Sequence, residues 1–160
     1  MQIKRLTDAL LAELGKKAEA SPRLRTNHNL HEVSEAPVQR LAVKLRRGTY
    51  IRPHRHPQRW ELGICLQGRI DLVLFDNSGA LTERTTLTPV HGTLALELPP
   101  AIWHSYVCVS DGATFFEVKE GPYDPATSSE FAPWSPAEGA PDAGEYLNWM
   151  SIAVPGTRHA

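Results

Sequence analysis

The sequence predicts an all-β domain, a sandwich or barrel of antiparallel strands, and three observations carry that expectation. Between about residues 38 and 120, short runs rich in Val, Leu, Ile and Phe are separated by Gly, Pro, Asn and Asp, the punctuation of strands and turns. Within that stretch, residues 69–75 and 81–87 flank Asp76-Asn77-Ser78-Gly79, whose Asn and Gly tolerate the positive φ of a tight reversal, so the two runs pair as a hairpin. At 160 residues and 41% hydrophobic content the chain can build one compact core and is too short for two.

The flanking segments are of other kinds. Ile3, Leu6, Leu10, Leu11 and Leu14 recur at helical spacing with Lys and Glu between them, and Ser21-Pro22 ends the pattern, which predicts an amphipathic helix over residues 3–19. After Lys119-Glu120 the chain is rich in Pro, Ala, Ser and Gly through residue 144, with Phe131, Trp134 and Tyr146 interspersed. Residues 145–152 form a short last helix, and the aromatics of this tail are expected to pack on the barrel. The expected organisation is one domain, with a helix and arm over 1–37, the barrel over 38–120 and the tail over 121–160. No internal repeat is visible.

Charge and cysteine usage narrow the function classes. Seventeen basic and 18 acidic residues leave a net charge of -1 with no basic block to track a phosphate backbone, so no nucleic-acid partner is expected. There is no apolar run of about 18 residues, and the opening Met-Gln-Ile-Lys-Arg leads into an amphipathic pattern, so neither a membrane span nor a cleaved leader is expected. The two cysteines, Cys65 and Cys108, lie in strand-like runs and form no disulfide framework. The expectation is a cytoplasmic protein.

The chemistry is concentrated in two segments. From Gly48 the chain reads G-T-Y-I-R-P-H-R-H-P-Q-R-W-E-L-G-I-C-L-Q-G. His54 and His56, two apart on a strand, share a face, and Glu61 opens the next strand on the face of Gly63, Cys65 and Gln67. The second segment, from Gly92, ends one strand at Pro99-Pro100 and starts another carrying His104. Three neutral imidazoles and one carboxylate suit Fe, Mn, Ni, Co or Zn and disfavour Ca or Mg. The site expected is one divalent transition metal on His54, His56, Glu61 and His104. His91 and His159 lack such context and read as surface residues. Alternation from His104 turns Tyr106 and Cys108 inward, Tyr106 either donating near the metal or serving as a core tyrosine bonded to a backbone carbonyl.

These segments resemble the paired motifs of the cupin superfamily. In the first, Gly48, His54, His56, Glu61 and Gly68 stand at the family spacing without a gap. In the second, one extra residue separates Gly92 from Pro99, Ala101 stands where glycine is usual, and Cys108 stands where asparagine is frequent. The resemblance implies a jelly-roll barrel (double-stranded β-helix), here with an N-terminal helix and a C-terminal tail, holding a six-coordinate metal with two positions open. It also implies a homodimer. At finer grain, S-P-R-L-R-T-N-H-N-L-H at 21–31, K-E-G-P-Y-D-P at 119–125 and F-A-P-W-S-P-A-E-G at 131–139 resemble the WbuC family of cupin metalloproteins, associated with lipopolysaccharide O-antigen gene clusters.

The function expected is a metal-dependent enzyme of unassigned reaction, of isomerase or epimerase type, acting on a small polar, sugar-related molecule through a Lewis-acid ion. An iron-dependent dioxygenase and a non-catalytic module that binds or senses a small ligand are the alternatives. Glu61 and Tyr106 are the candidate catalytic residues. Arg23, Arg25, Asn27, Asn29 and His31 read either as a polar connecting loop or as an arm across the barrel mouth that, with Arg52, binds an anionic or hydroxyl-rich ligand. The outward stripe of Leu62, Ile64 and Leu66 needs cover from the helix, the tail or a second subunit.

Overall fold

The computed structural model describes residues 3–159. Helix α1 (Asp8–Ala20) is followed by β1 (Arg25–Asn29), β2 (Val38–Arg46), β3 (His54–Arg55), β4 (Glu61–Gln67) and β5 (Ile70–Phe75). Then come β6 (Leu81–Leu87), β7 (Ala95–Leu98), β8 (Trp103–Cys108), β9 (Gly112–Glu120), β10 (Glu130–Phe131) and helix α2 (Ala143–Ile152). Two five-stranded antiparallel sheets result, in the orders β1-β2-β9-β4-β7 and β10-β3-β8-β5-β6.

The chain passes repeatedly from one sheet to the other, as a jelly roll requires. One such passage, from β4 to β5, turns at Gly68, which has a φ of 76°; a Cβ there would lie 2.4 Å from the carbonyl oxygen of Gly112, so only glycine fits. Between the sheets Leu45, Cys65, Ile70, Leu72, Leu87, Tyr106 and Phe115 form the interior core. A second core lies outside the β3–β8–β5–β6 sheet, where Val73, Phe75, Trp103 and Val107 meet Ala132, Tyr146 and Met150 of the tail. The expected alternation along β8 is present: Tyr106 and Cys108 are in the interior cluster, Trp103 and Val107 in the outer one.

Three boundaries differ from expectation. Helix α1 starts at Asp8 rather than at residue 3, because the Thr7 side chain accepts from the Leu10 amide and caps it there. Helix α2 starts two residues before the expected 145. Residues 25–29, read as loop or arm, are strand β1, paired along its length with β2; β1 and β10 thus extend the two sheets beyond residues 38–120. Helix α1 packs over β1 and β2 and the tail over the other sheet, while Leu62, Ile64 and Leu66 stay half-buried on the outer face of β4.

Candidate metal centre

Strand register brings the four expected ligands to one end of the interior. His54 on β3 is directly opposite His104 on β8 in one sheet, and Glu61 heads β4 in the facing sheet. His56 follows β3. The ligand nitrogens of His54, His56 and His104 all lie within 4.8 Å of one another. Glu61 joins them, its Oε2 being 3.0 Å from Nε2 of His56 and its Oε1 4.0 Å from Nε2 of His104.

Each ring is oriented by a backbone carbonyl. Nδ1 of His54 lies 2.9 Å from the Arg52 oxygen, Nδ1 of His56 2.6 Å from the Ser128 oxygen, and Nδ1 of His104 2.9 Å from the Ile102 oxygen. A carbonyl only accepts, so each Nδ1 carries the hydrogen and each Nε2 presents its lone pair. Two consequences point to a cation. Nε2 of His104 is buried with no hydrogen-bond partner, a costly arrangement for a polar atom unless something binds it. Nε2 of His56 faces a carboxylate oxygen at 3.0 Å, where two acceptors need a proton or a metal between them. The residues therefore fit a metal ion on grounds of tautomer, burial and donor type.

Protonation is consistent with this donor set. Burial, then the neighbouring His104 and His56, hold His54 well below the usual histidine range; burial also lowers His104, against the pull of Glu61. Both rings are neutral at pH 7. Burial alone would raise the Glu61 carboxyl, but the Lys119 ammonium outweighs it and holds the carboxyl well below its usual value. Tyr106 donates its hydroxyl to Oε1 of Glu61 at 2.9 Å. Burial first, and Glu61 second, push that phenol well above 10, so it stays a donor. Its partner is thus the candidate ligand rather than a backbone carbonyl, and Gly63 makes room for it, since a Cβ at that position would lie 3.1 Å from the hydroxyl.

A buried ion pair that the two histidine-bearing motifs do not contain stands beside the cluster. Lys119 on β9 reaches Oε2 of Glu117 at 2.9 Å and Oε2 of Glu61 at 3.5 Å. Burial would lower the lysine, but the two carboxylates reverse this and raise it. The available signal was alternation: Phe115, Glu117 and Lys119 share the inward face of β9, an unusual place for two charges.

The candidate ligand-binding residues separate into two groups. Asn27, Asn29 and His31 line a cavity together with Lys119. Arg23 and Arg25 instead both ion-pair with Glu138 of the tail, and Arg25 also donates to the Tyr50 carbonyl. Arg52 donates to Ser135 Oγ and the Ala132 carbonyl and lies over Phe131. The tail also closes the centre, through the Ser128 carbonyl on His56 and the pairing of Phe131 with His54. Cys65 and Cys108 are both buried free thiols.

The architecture is a jelly roll of the cupin-like fold, with a histidine cluster between its sheets, and solved structures share that fold. The chain superimposes on oxalate oxidase in complex with glycolate at a TM-score of 0.55 and 18% identity, covering 72% of this chain and 58% of that one. It superimposes on KdgF from Halomonas sp. at 0.51 and 20%, covering 66% and 84%, and on CapF bound to 3-isopropenyl-tropolone at 0.56 and 11%, covering 66% and 30%. The chain thus spans little more than half of the oxalate oxidase it resembles, and identities this low establish a common fold alone. Residues 6–87 match the family described as Domain of unknown function (DUF6016), and the chain belongs to that family. No curated protein matches it. Among the described residues no helix is long and apolar enough to cross a membrane.

Proposed function

We propose that this cupin holds one divalent transition metal, Fe, Mn, Ni, Co or Zn, on His54, His56, Glu61 and His104, and is a metal-dependent enzyme of isomerase or epimerase type acting on a small polar, sugar-related molecule. The observation that carries the reading is the set of three imidazoles locked by carbonyls with their Nε2 atoms turned to one point, that of His104 buried and unpartnered. When bound, the metal supplies Lewis acidity toward a hydroxyl or carbonyl oxygen. Tyr106 and Lys119 fix one oxygen each of Glu61, and both carry a proton within reach of a ligand at the centre. The short segments that resemble the WbuC family support a carbohydrate setting linked to O-antigen. A cytoplasmic location accords with two free, buried cysteines.

The test begins with metal analysis of protein grown with ample iron, zinc, manganese, nickel and cobalt. About one ion per chain is expected, and His54→Ala or His104→Ala should lower metal affinity by roughly tenfold or more. Stoichiometric metal in both variants would remove the assigned ligands. Conversion of sugar-derived compounds by the zinc-loaded protein without oxygen then supports isomerisation. Turnover that needs iron and consumes oxygen establishes the dioxygenase instead, and tight binding without turnover establishes the non-catalytic module.

A further inference from the structure

The inference rests on the metal-centre reading and names the ligand that centre serves. A cavity of about 360 Å³ opens on the inward side of the first sheet at its β1–β2 edge. Lys119, which lines it, is 3.5 Å from Glu61, so the cavity and the histidine cluster share a wall. The volume is at the small end of the range for small-molecule sites.

The lining groups are mixed donors and acceptors. Nδ2 of Asn27 donates to Oδ1 of Asn29 at 2.6 Å, leaving Oδ1 of Asn27 and the amide hydrogens of Asn29 for a ligand. Gln39, 3% exposed, commits its Nε2 to the carbonyls of Ser34 and Ala36 and keeps Oε1. Nδ1 of His31 is held by the backbone of Arg40, 3.0 Å from its amide nitrogen and 3.1 Å from its carbonyl oxygen. A molecule with several hydroxyls, each able to give and accept, satisfies such a set, and an apolar one would strand it.

Charge decides the other half of the ligand. Glu61 and Glu117 set two carboxylates against the one ammonium of Lys119; counted as ionised, a divalent ion held there would leave this end of the cavity one net positive charge, which a monoanion neutralises. The opposite flank is mainly apolar. Leu74 lies opposite His104 and Leu98 opposite Glu61 in the strand register, and with Leu72, Leu96 and Ile102 they line a separate cleft. A ligand at the centre therefore directs its hydroxyls toward β1 and β2.

We propose that this cavity is the ligand pocket of the metal centre and that it takes a small polyhydroxylated monocarboxylate, an aldonic or uronic acid by chemical class. Asn27, Asn29 and Gln39 read the hydroxyls, and the Lys119 end takes the carboxylate.

The test is calorimetric titration of zinc-loaded full-length protein with gluconate and galacturonate, against sorbitol and galactose, which lack the carboxylate, and hexanoate, which lacks the hydroxyls. At least one of the two acids should bind tenfold or more tighter than all three controls. Asn29→Leu, on an exposed edge strand where folding is little affected, should weaken that acid at least fivefold with zinc content unchanged, and Asn27→Leu should do the same. Equal binding of a control overturns the ligand class, and undiminished binding in both variants overturns the pocket. Protein that holds zinc but binds none of the five compounds overturns this inference alone. Protein that takes up no metal overturns the metal-centre reading and this inference with it.

Discussion

Ala101 shows how much a single residue can report. It has a φ of 66°, a left-handed conformation that costs a residue with a Cβ about 1–2 kcal/mol, and its N–H donates to the His56 carbonyl at 2.8 Å. Its turn is thereby fastened to the loop that carries a candidate ligand. Ala101→Gly should raise stability by about 0.5–1 kcal/mol, the relieved strain outweighing the cost of the freer unfolded chain. The denaturant midpoint should rise with an unchanged slope, and a midpoint that stays put would mean the turn is unstrained. Cys108 makes a second prediction. Burial pushes its thiol up to about 11 and raises Cys65 as well. The sign is therefore toward the neutral thiol: at pH 8 about one Cys108 in a thousand is thiolate, so both cysteines should resist iodoacetamide in the folded protein and react once it is unfolded. Rapid alkylation of the native protein would contradict the burial of both. At this scale the motif residues were legible because ligand chemistry demands His and Glu at fixed spacing. Lys119 and Glu117 were not, since an ion pair can be built at almost any spacing.

Among the elements, α2 depends on a residue from another part of the chain. Its last turn has no basic residue, yet Arg84 on β6 donates to the carbonyls of Met150 and Ala153, supplying the positive charge that the C-terminal end of a helix favours. The same guanidinium pairs with Asp71 at 2.6 Å, and Thr86 completes that carboxylate. Arg84→Met should cost about 3 kcal/mol by leaving a largely buried carboxylate without its cation, and should loosen α2 first. Hydrogen exchange in residues 146–153 checks this, and protection equal to the native protein would show that the arginine is dispensable. The β5–β6 hairpin was legible because both its turn chemistry and its alternation are local. Strand β1, Arg-Thr-Asn-His-Asn, was not: an edge strand of polar residues has no apolar period, and only its pairing with β2 makes it a strand.

For the whole molecule, the open question of cover concerns the outer face of the first sheet. Helix α1 packs over β1 and β2 and the tail over the other sheet, and Leu62, Ile64 and Leu66 stay half-buried beside Phe116 and Val118 of β9. We propose that this face would seat the homodimer expected from the family resemblance, since contiguous apolar surface of that kind is uncommon on monomers. Light scattering should give twice the chain mass of 17.8 kDa, and Ile64→Lys should reduce it to one chain by placing a charge in the contact. A native mass of one chain in dilute solution would refute the dimer.

Sequence alone determined the all-β class and the identity of the four candidate ligands, because strand periodicity, turn residues and ligand spacing act over a few neighbours; the jelly-roll arrangement came from the resemblance of the two motifs to those of cupins. Only the tertiary structure decided what surrounds them. The carbonyl of Ser128 that orients His56, the Lys119–Glu117 pair beside Glu61 and the cavity behind Asn27 and Asn29 join segments dozens of residues apart. Such contacts follow from sheet register and from how the tail closes over the barrel, and neither leaves a period in the chain.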